Sequence, residues 1–255
     1  MPAIAAWGLA ASAALAVVVW LGSLARRDAS LVDRFWAALI ASAAGAYALL
    51  LPAGGTRALA MGALGAAWAL RLTLFITWRN WGHGEDRRYR EIRARHQPHF
   101  GLKSLWLVFG VQALVAWVVS LPFLAGLQAT AGPLGPLDAA GIAVAAFGIG
   151  FEAVADAQMA RFKADPAQRG QVMDRGLWRW SRHPNYFGEA CTWWGLWLMA
   201  ASAGGAWTVV SPLVMTLLLL KVSGVALLER DIAGRRPAYR DYVARTSAFI
   251  PWPPR

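Results

Sequence analysis

Residues 105–127, LWLVFGVQALVAWVVSLPFLAGL, run for 23 positions without one ionisable side chain. A bilayer's hydrocarbon core is about 30 Å thick and is crossed by about 20 apolar helical residues. This stretch therefore predicts a transmembrane helix. Six more apolar runs lie near 3–24, 31–52, 58–78, 137–159, 187–201 and 207–228. The whole chain fits that reading: its 255 residues are 58% hydrophobic and 15% charged, against roughly a quarter charged in soluble domains. Its mean hydropathy is +0.41. The expected fold is an all-α polytopic membrane protein with about seven transmembrane helices. With no internal repeat and no Gly/Ser linker, residues 1–255 are read as a single integral membrane domain. The first run lacks a preceding cation and is followed by Arg26 and Arg27, the pattern of a retained stop-transfer helix rather than a cleaved signal peptide.

Charge sets the expected orientation. Net charge is +11 and the pI about 11.0, yet the cations fall between apolar runs rather than along a solvated face, which argues against a nucleic-acid partner. Of the 25 Lys and Arg residues, all but Arg34, Arg57, Arg71 and Lys221 sit at 26–27 or within 79–103, 161–182 and 230–255. Cytoplasmic loops collect Lys and Arg, so the N-terminus is expected outside and the C-terminus in the cytoplasm. The polar segment 81–100, with Glu85, Asp86, Arg87, Arg90, Glu91 and Arg95, is expected to form a short interfacial helix. Cys191 stands alone, which excludes an intramolecular disulfide, and the four histidines have no metal-ligand spacing.

Ionisable groups inside a span cost roughly 2.5 to 3.5 kcal/mol each on insertion scales, so they face partners or cavities. Asp33 and Arg34 open the second run, Arg71 lies in the third, Glu152 and Asp156 in the fifth and Lys221 in the seventh. One account is mutual neutralisation without chemistry. The other starts from spacing: Glu152, Asp156 and Lys163 fall on roughly one helix face near the cytoplasmic boundary, where acids and a base can grip hydroxyls and phosphates.

The richest polar cluster is WSRHPNYFGE at 180–189. Pro184 suits the first turn of a helix. Asn185 and Glu189, four apart, then share a face, with Tyr186 beside it and Arg179, Arg182 and His183 just before it. A helix N-terminus offers free backbone donors and a positive dipole. The cluster reads equally as an anion-and-amide recognition site or as an N-capping segment anchored at the interface by snorkelling arginines. No strand precedes a GxGxxG pattern, so a Rossmann site is excluded.

RHPNYFGE, the upstream FKADPAQRG and GLW, and the tail YRDYVARTSAFIPWPP together resemble the C-terminal half of the steroid 5-alpha-reductase superfamily, and most nearly its bacterial membrane-protein branch. Sterol C14 and C7 reductases carry a similar motif; isoprenylcysteine carboxyl methyltransferases carry a looser one. The resemblance spans about 151–254. It implies a helical bundle in which 1–150 serve the substrate and 151–255 hold NADPH from the cytoplasmic side, in a bacterial inner membrane. Asn185 and Glu189 match positions at the nicotinamide carboxamide, with Tyr186 in the same wall. Asp156 and Lys163 match ribose and phosphate positions, and Glu152 stands where the reductases have an amide. In the tail, Arg230, Asp231 and Tyr239 resemble residues that close around the adenine-side phosphates.

The chain departs from the steroid enzymes at the substrate end. It has Val32, Asp33 and Arg34 where they place a Gln-Glu pair, and Tyr47 and Tyr89 are the nearest candidates for their keto-polarising tyrosine. The expected function is therefore NADPH-dependent reduction of a carbon–carbon double bond in an apolar lipid, sterol-like or isoprenoid, with Asp33 or Tyr89 polarising the substrate or donating the proton. The alternatives are an S-adenosylmethionine-dependent methyltransferase of a lipid or prenyl carboxylate, with Glu229 among its matching features, and a non-catalytic lipid- or cofactor-binding membrane protein. Substrate and oligomeric state are not legible.

Overall fold

The first helix, α1 (Pro2–Arg26), begins on a proline and continues almost wholly in Ala, Leu and Val, residues that lose little in a helix or cannot be wetted in a bilayer. It stops at Arg27, whose left-handed backbone (φ 51°) lets the Asp28 N–H reach the Ser23 carbonyl at 3.0 Å, a Schellman-type ending. The structure is a computed structural model, and it describes residues 1–51, 55–128, 133–222, 225 and 238–254. These divide into two compact units, 1–135 with 199–211, and 136–198 with 212–255.

In the first unit, α1 is followed by α2 (Leu31–Leu50), α3 (Thr56–Arg79), the short α4 (Arg87–Arg95) and α5 (Phe100–Gln128). The uncharged stretch 105–127 lies in α5, with a π-helical turn at Leu105–Gly110 and Pro122 inside the helix. Small residues let the helices approach. Gly8 leaves room for the Tyr47 ring, and a Cβ at Gly65 would lie 2.6 Å from Phe123. Polar groups close the contacts: Ser12 Oγ donates to the Leu39 carbonyl at 2.7 Å, Trp117 Nε1 to Ala5 at 2.8 Å, and Tyr47 Oη meets Ser120 Oγ at 3.1 Å. This is how helices associate where no hydrophobic force separates them from lipid.

The second unit contains α6 (Pro136–Ala164), short 3₁₀ turns at Pro166–Gln168 and Gly176–Arg179, the greater part of α7 (Pro184–Ser202) and most of α8 (Val210–Leu217), which leaves through a π turn at Leu218–Val222. It ends in α9 (Ala238–Arg245) and the segment after it. No β-strand occurs among the described residues, only an isolated bridge between Ser181 and Ser247.

The described parts of all seven apolar runs are helical except Leu51, which is extended just after α2. Among the described residues, four helices are long and apolar enough to cross a membrane: Pro2–Arg26, Thr56–Arg79, Phe100–Gln128 and Pro136–Ala164. The others are weakened as spans by what they carry, Asp33 and Arg34 at the head of α2 and Asn185 and Glu189 at the head of α7. Large apolar side chains point outward along the long helices, among them Val18, Leu59, Leu70 and Leu74, a surface suited to lipid. The polar segment 81–100, expected to form a short interfacial helix, contains the short helix α4, with Arg87 Nε paired to Glu91 at 2.8 Å one turn on.

Candidate functional site

The geometry at the head of α7 follows from glycines. A Cβ at Gly148 would lie 2.5 Å from the Gly188 carbonyl and the Thr192 N–H nitrogen, and one at Gly188 would lie 2.7 Å from the Glu152 backbone nitrogen. α6 and α7 therefore touch backbone to backbone along Gly148, Glu152, Gly188 and Thr192, the small-residue contact that brings helices closest. That contact sets Glu152 against the first turns of α7. One turn further along α6, Asp156 Oδ1 accepts a hydrogen bond from Asn185 Nδ2 at 3.3 Å. Glu152, Asp156, His183 and Glu189 are all buried. The Asn185 amide oxygen is buried with no hydrogen-bond partner among the described residues.

The residues before α7 are fixed by a frame of main-chain bonds. Pro184 is the first helical residue, and His183 precedes it, its carbonyl accepting from Phe187 N–H at 3.1 Å and its N–H donating to Ser181 Oγ at 3.1 Å. The His183 ring stacks parallel on Tyr186 at 5.4 Å. Ser181 Oγ donates to the Phe249 carbonyl at 2.8 Å. Trp178 Nε1 donates to Ala155 at 3.0 Å, and the Leu177 N–H to Gln158 Oε1 at 3.0 Å, so the loop is fastened to α6.

The tail is fastened to the same place. Tyr242 Oη donates to the Trp178 carbonyl, and the Arg182 guanidinium donates to Thr246 and Val243 carbonyls at 2.5 and 3.2 Å, at the end of α9. These carbonyls are the groups a helix C-terminus leaves over. Tyr239, buried, packs edge-on to Tyr242 at 5.5 Å. Arg179 and Lys163 are exposed. Arg230 and Asp231 lie outside the described residues. Ten of the twelve cofactor candidates thus fall on α6, the head of α7, the residues just before it and α9: Glu152, Asp156, Lys163, Arg179, Arg182, His183, Asn185, Tyr186, Glu189 and Tyr239. Lys163 lies further along α6, near its C-terminal end.

The two catalytic candidates meet in the first unit. Tyr89 Oη donates to Asp33 Oδ1 at 2.6 Å, and Arg88 donates to Asp33 Oδ2 at 2.8 Å. Burial, and then the Asp33 carboxylate beside it, push the Tyr89 phenol well above its ordinary range. Burial alone would pull the Arg88 guanidinium down, but Asp33, Tyr89 and Asp86 around it hold it above its usual value. Asp86 caps α4 by accepting the Arg88 N–H at 2.9 Å. Nearby, Arg93 grips both oxygens of Glu85, at 2.9 and 2.7 Å, and the Ala29 N–H donates to the same carboxylate at 2.8 Å. α4 is thereby tied to the α1–α2 turn.

A family model described as "Protein of unknown function (DUF1295)" matches residues 19–246. The chain belongs to the DUF1295 family. It is also similar to an uncharacterized protein of Schizosaccharomyces pombe (strain 972 / ATCC 24843), 27% identical over 274 residues that cover 96% of this chain and 78% of that protein. No solved structure matches. The DUF1295 match takes in both the Asp33–Tyr89 pair and the α6–α7 contact.

Sequence reasoning passed over Arg88, Gln158, Ser181 and Tyr242. Arg88 adjoins Tyr89, and Tyr242 stands in the quoted tail motif, but only the fold reveals that one holds Asp33 and the other the loop before α7. Gln158 has a detectable signal in Gly176: its positive φ of 57° favours glycine, and a Cβ there would lie 2.6 Å from the Gln158 amide.

Proposed function

We propose that this DUF1295 protein is an integral membrane reductase that uses NADPH to reduce a carbon–carbon double bond of an apolar lipid. In this reading it is a member of the steroid 5-alpha-reductase superfamily, with seven spans, its N-terminus outside and its C-terminus in the cytoplasm. The observation that carries the reading is the meeting of Asn185 with Asp156 at the head of α7, where a buried amide oxygen has no partner among the described residues. A nicotinamide carboxamide brings an NH₂ donor that such an oxygen lacks, and the neighbouring carboxylates suit ribose hydroxyls. The residues present thus fit the cofactor, which when bound supplies the hydride.

The chain's own part is binding, orientation and proton supply. Asn185 and Glu189 hold the carboxamide end, Asp156 a ribose hydroxyl, and Tyr239 closes on the adenine-side phosphates. In the first unit, Tyr89 keeps its proton to high pH and is the donor of the pair, while Arg88 holds Asp33 in place as its acceptor.

A methyltransferase using S-adenosylmethionine is the second reading. Glu152, Asp156 and Glu189, three buried carboxylates, favour it, because the sulfonium and ammonium of that cofactor are cations. Titrating the detergent-purified protein with each cofactor, in the wild type and in Asn185→Ala, separates the two. Incubation with NADPH deuterated at the transferred position and a membrane lipid extract tests the chemistry, since a reductase adds one deuterium to a lipid.

A further inference from the structure

Beside the frame that holds α7 lies a cleft of about 530 Å³, lined by Asp174, Arg175, Gly176, Arg179, Arg245, Thr246 and Pro254. Three arginines line it. Arg245 is paired with Asp174 across the cleft, but the Arg175 and Arg179 side chains are exposed and make no hydrogen bond or ion pair among the described residues. Two exposed guanidinium forks at a concave surface can take an anion, since guanidinium matches phosphate oxygens two at a time.

The cleft is also rigid. Gly176 between the two arginines is pressed against the Gln158 amide, which accepts the Leu177 N–H at 3.0 Å. On the other side, Arg182 donates to the Thr246 carbonyl at 2.5 Å.

What surrounds it names the source of the phosphate. Trp180, next to Arg179, is 44% exposed; Ile250 is 62% and Trp252 66% exposed. Trp252 is tied to Trp180 by its N–H, 2.9 Å from the Trp180 carbonyl. Tryptophans displayed beside arginines at the end of apolar helices mark headgroup depth in a bilayer. Basic pockets at that depth take anionic lipid headgroups. We propose that this cleft binds the phosphate of an anionic phospholipid, through Arg175 and Arg179, with Trp180 and Trp252 seated in the adjoining interface. Neither Asn185 nor Asp156 lines the cleft, and Arg179 is the one cofactor candidate that does.

The test uses the full chain in a neutral detergent, doped with phosphatidylglycerol or with phosphatidylcholine, and reads the midpoint of thermal unfolding. Phosphatidylglycerol should stabilise the wild type and phosphatidylcholine should not. Arg175→Gln should weaken the phosphatidylglycerol effect about fivefold in apparent affinity, and Arg175→Gln with Arg179→Gln roughly 25-fold, at about a factor of five for each interfacial charge. Arg175→Lys with Arg179→Lys keeps the charges and should retain most of the effect, which separates lost binding from lost folding. Inorganic phosphate acting as strongly as phosphatidylglycerol would overturn the lipid assignment. So would unchanged lipid stabilisation in the Gln variants. A loss of NADPH stabilisation in Arg175→Gln as large as its loss of lipid stabilisation would give the cleft to the cofactor instead.

Discussion

Tyr89 Oη donates to Asp33 Oδ1 at 2.6 Å, joining two residues 56 positions apart that spacing alone offered only as alternatives. Arg88 occupies the other carboxylate oxygen at 2.8 Å, and in the proposed reaction the Tyr89 phenol supplies the proton. Tyr89→Phe should lower turnover by about 10²-fold or more, as expected for loss of a general acid, with NADPH affinity unchanged. Single-turnover deuteride transfer measures the first and cofactor titration the second. Equal turnover in the variant removes Tyr89 from the chemistry.

Acid should loosen α4 before it melts the bundle. Burial would raise the Glu85 carboxyl, but Arg93 and the Ala29 N–H together hold it below its ordinary 4.5. The Asp86 carboxyl is likewise held below 3.8, by the Arg88 backbone and guanidinium against burial. Groups with depressed values stabilise the fold above their unfolded pKa and lose that contribution as pH falls through the folded one. Melting temperature should therefore hold steady down to about pH 4.5 and fall below it. Glu85→Gln should start lower and decline less steeply over that acid range.

The α6–α7 contact gives a paired test with opposite signs. Gly188→Ala drives a methyl to within 2.7 Å of the Glu152 backbone, an overpacking that should cost about 1–3 kcal/mol. Gly150→Ala, on the same α6 but with nothing within 4 Å, should be neutral or stabilise by up to about 1 kcal/mol through helix propensity. Thermal unfolding in one detergent compares them. Similar effects at both positions would mean that the two helices do not meet along this line.

Much of this was legible because the deciding signals are local. Length and apolarity mark 105–127 as helical wherever it lies, and Pro184 marks the start of α7 without any tertiary information. The site was legible only in outline. Asn185 and Glu189 share a helix face by spacing, but Asp156 reaches Asn185 only because Gly148 and Gly188 let two backbones touch, a fact of packing between segments 40 residues apart. Arg182 shows the limit most plainly: its position suggests an anion, and the fold adds two carbonyl acceptors at the end of α9. The seven-span expectation rested on apolar length, whereas α2 and α7 owe their polar heads to pairing inside the protein, which no hydropathy window sees.

Orientation has a direct check. A reporter domain fused after Arg255 should read cytoplasmic, and one placed in the short loop near Thr56 should read outside, since the cations gather at the opposite helix ends. The reverse result would invert the topology and place the α7 cluster away from soluble NADPH.

The central claim is that the head of α7 holds NADPH, and equilibrium titration monitored by thermal unfolding tests it most directly. At about 100 Kd, NADPH should stabilise the wild type by about 2.7 kcal/mol, S-adenosylmethionine should leave it unmoved, and Asn185→Ala should erase the NADPH effect while the unliganded protein melts within about 1 kcal/mol of wild type. Stabilisation by S-adenosylmethionine alone, or an Asn185→Ala protein that still responds fully to NADPH, would contradict the account.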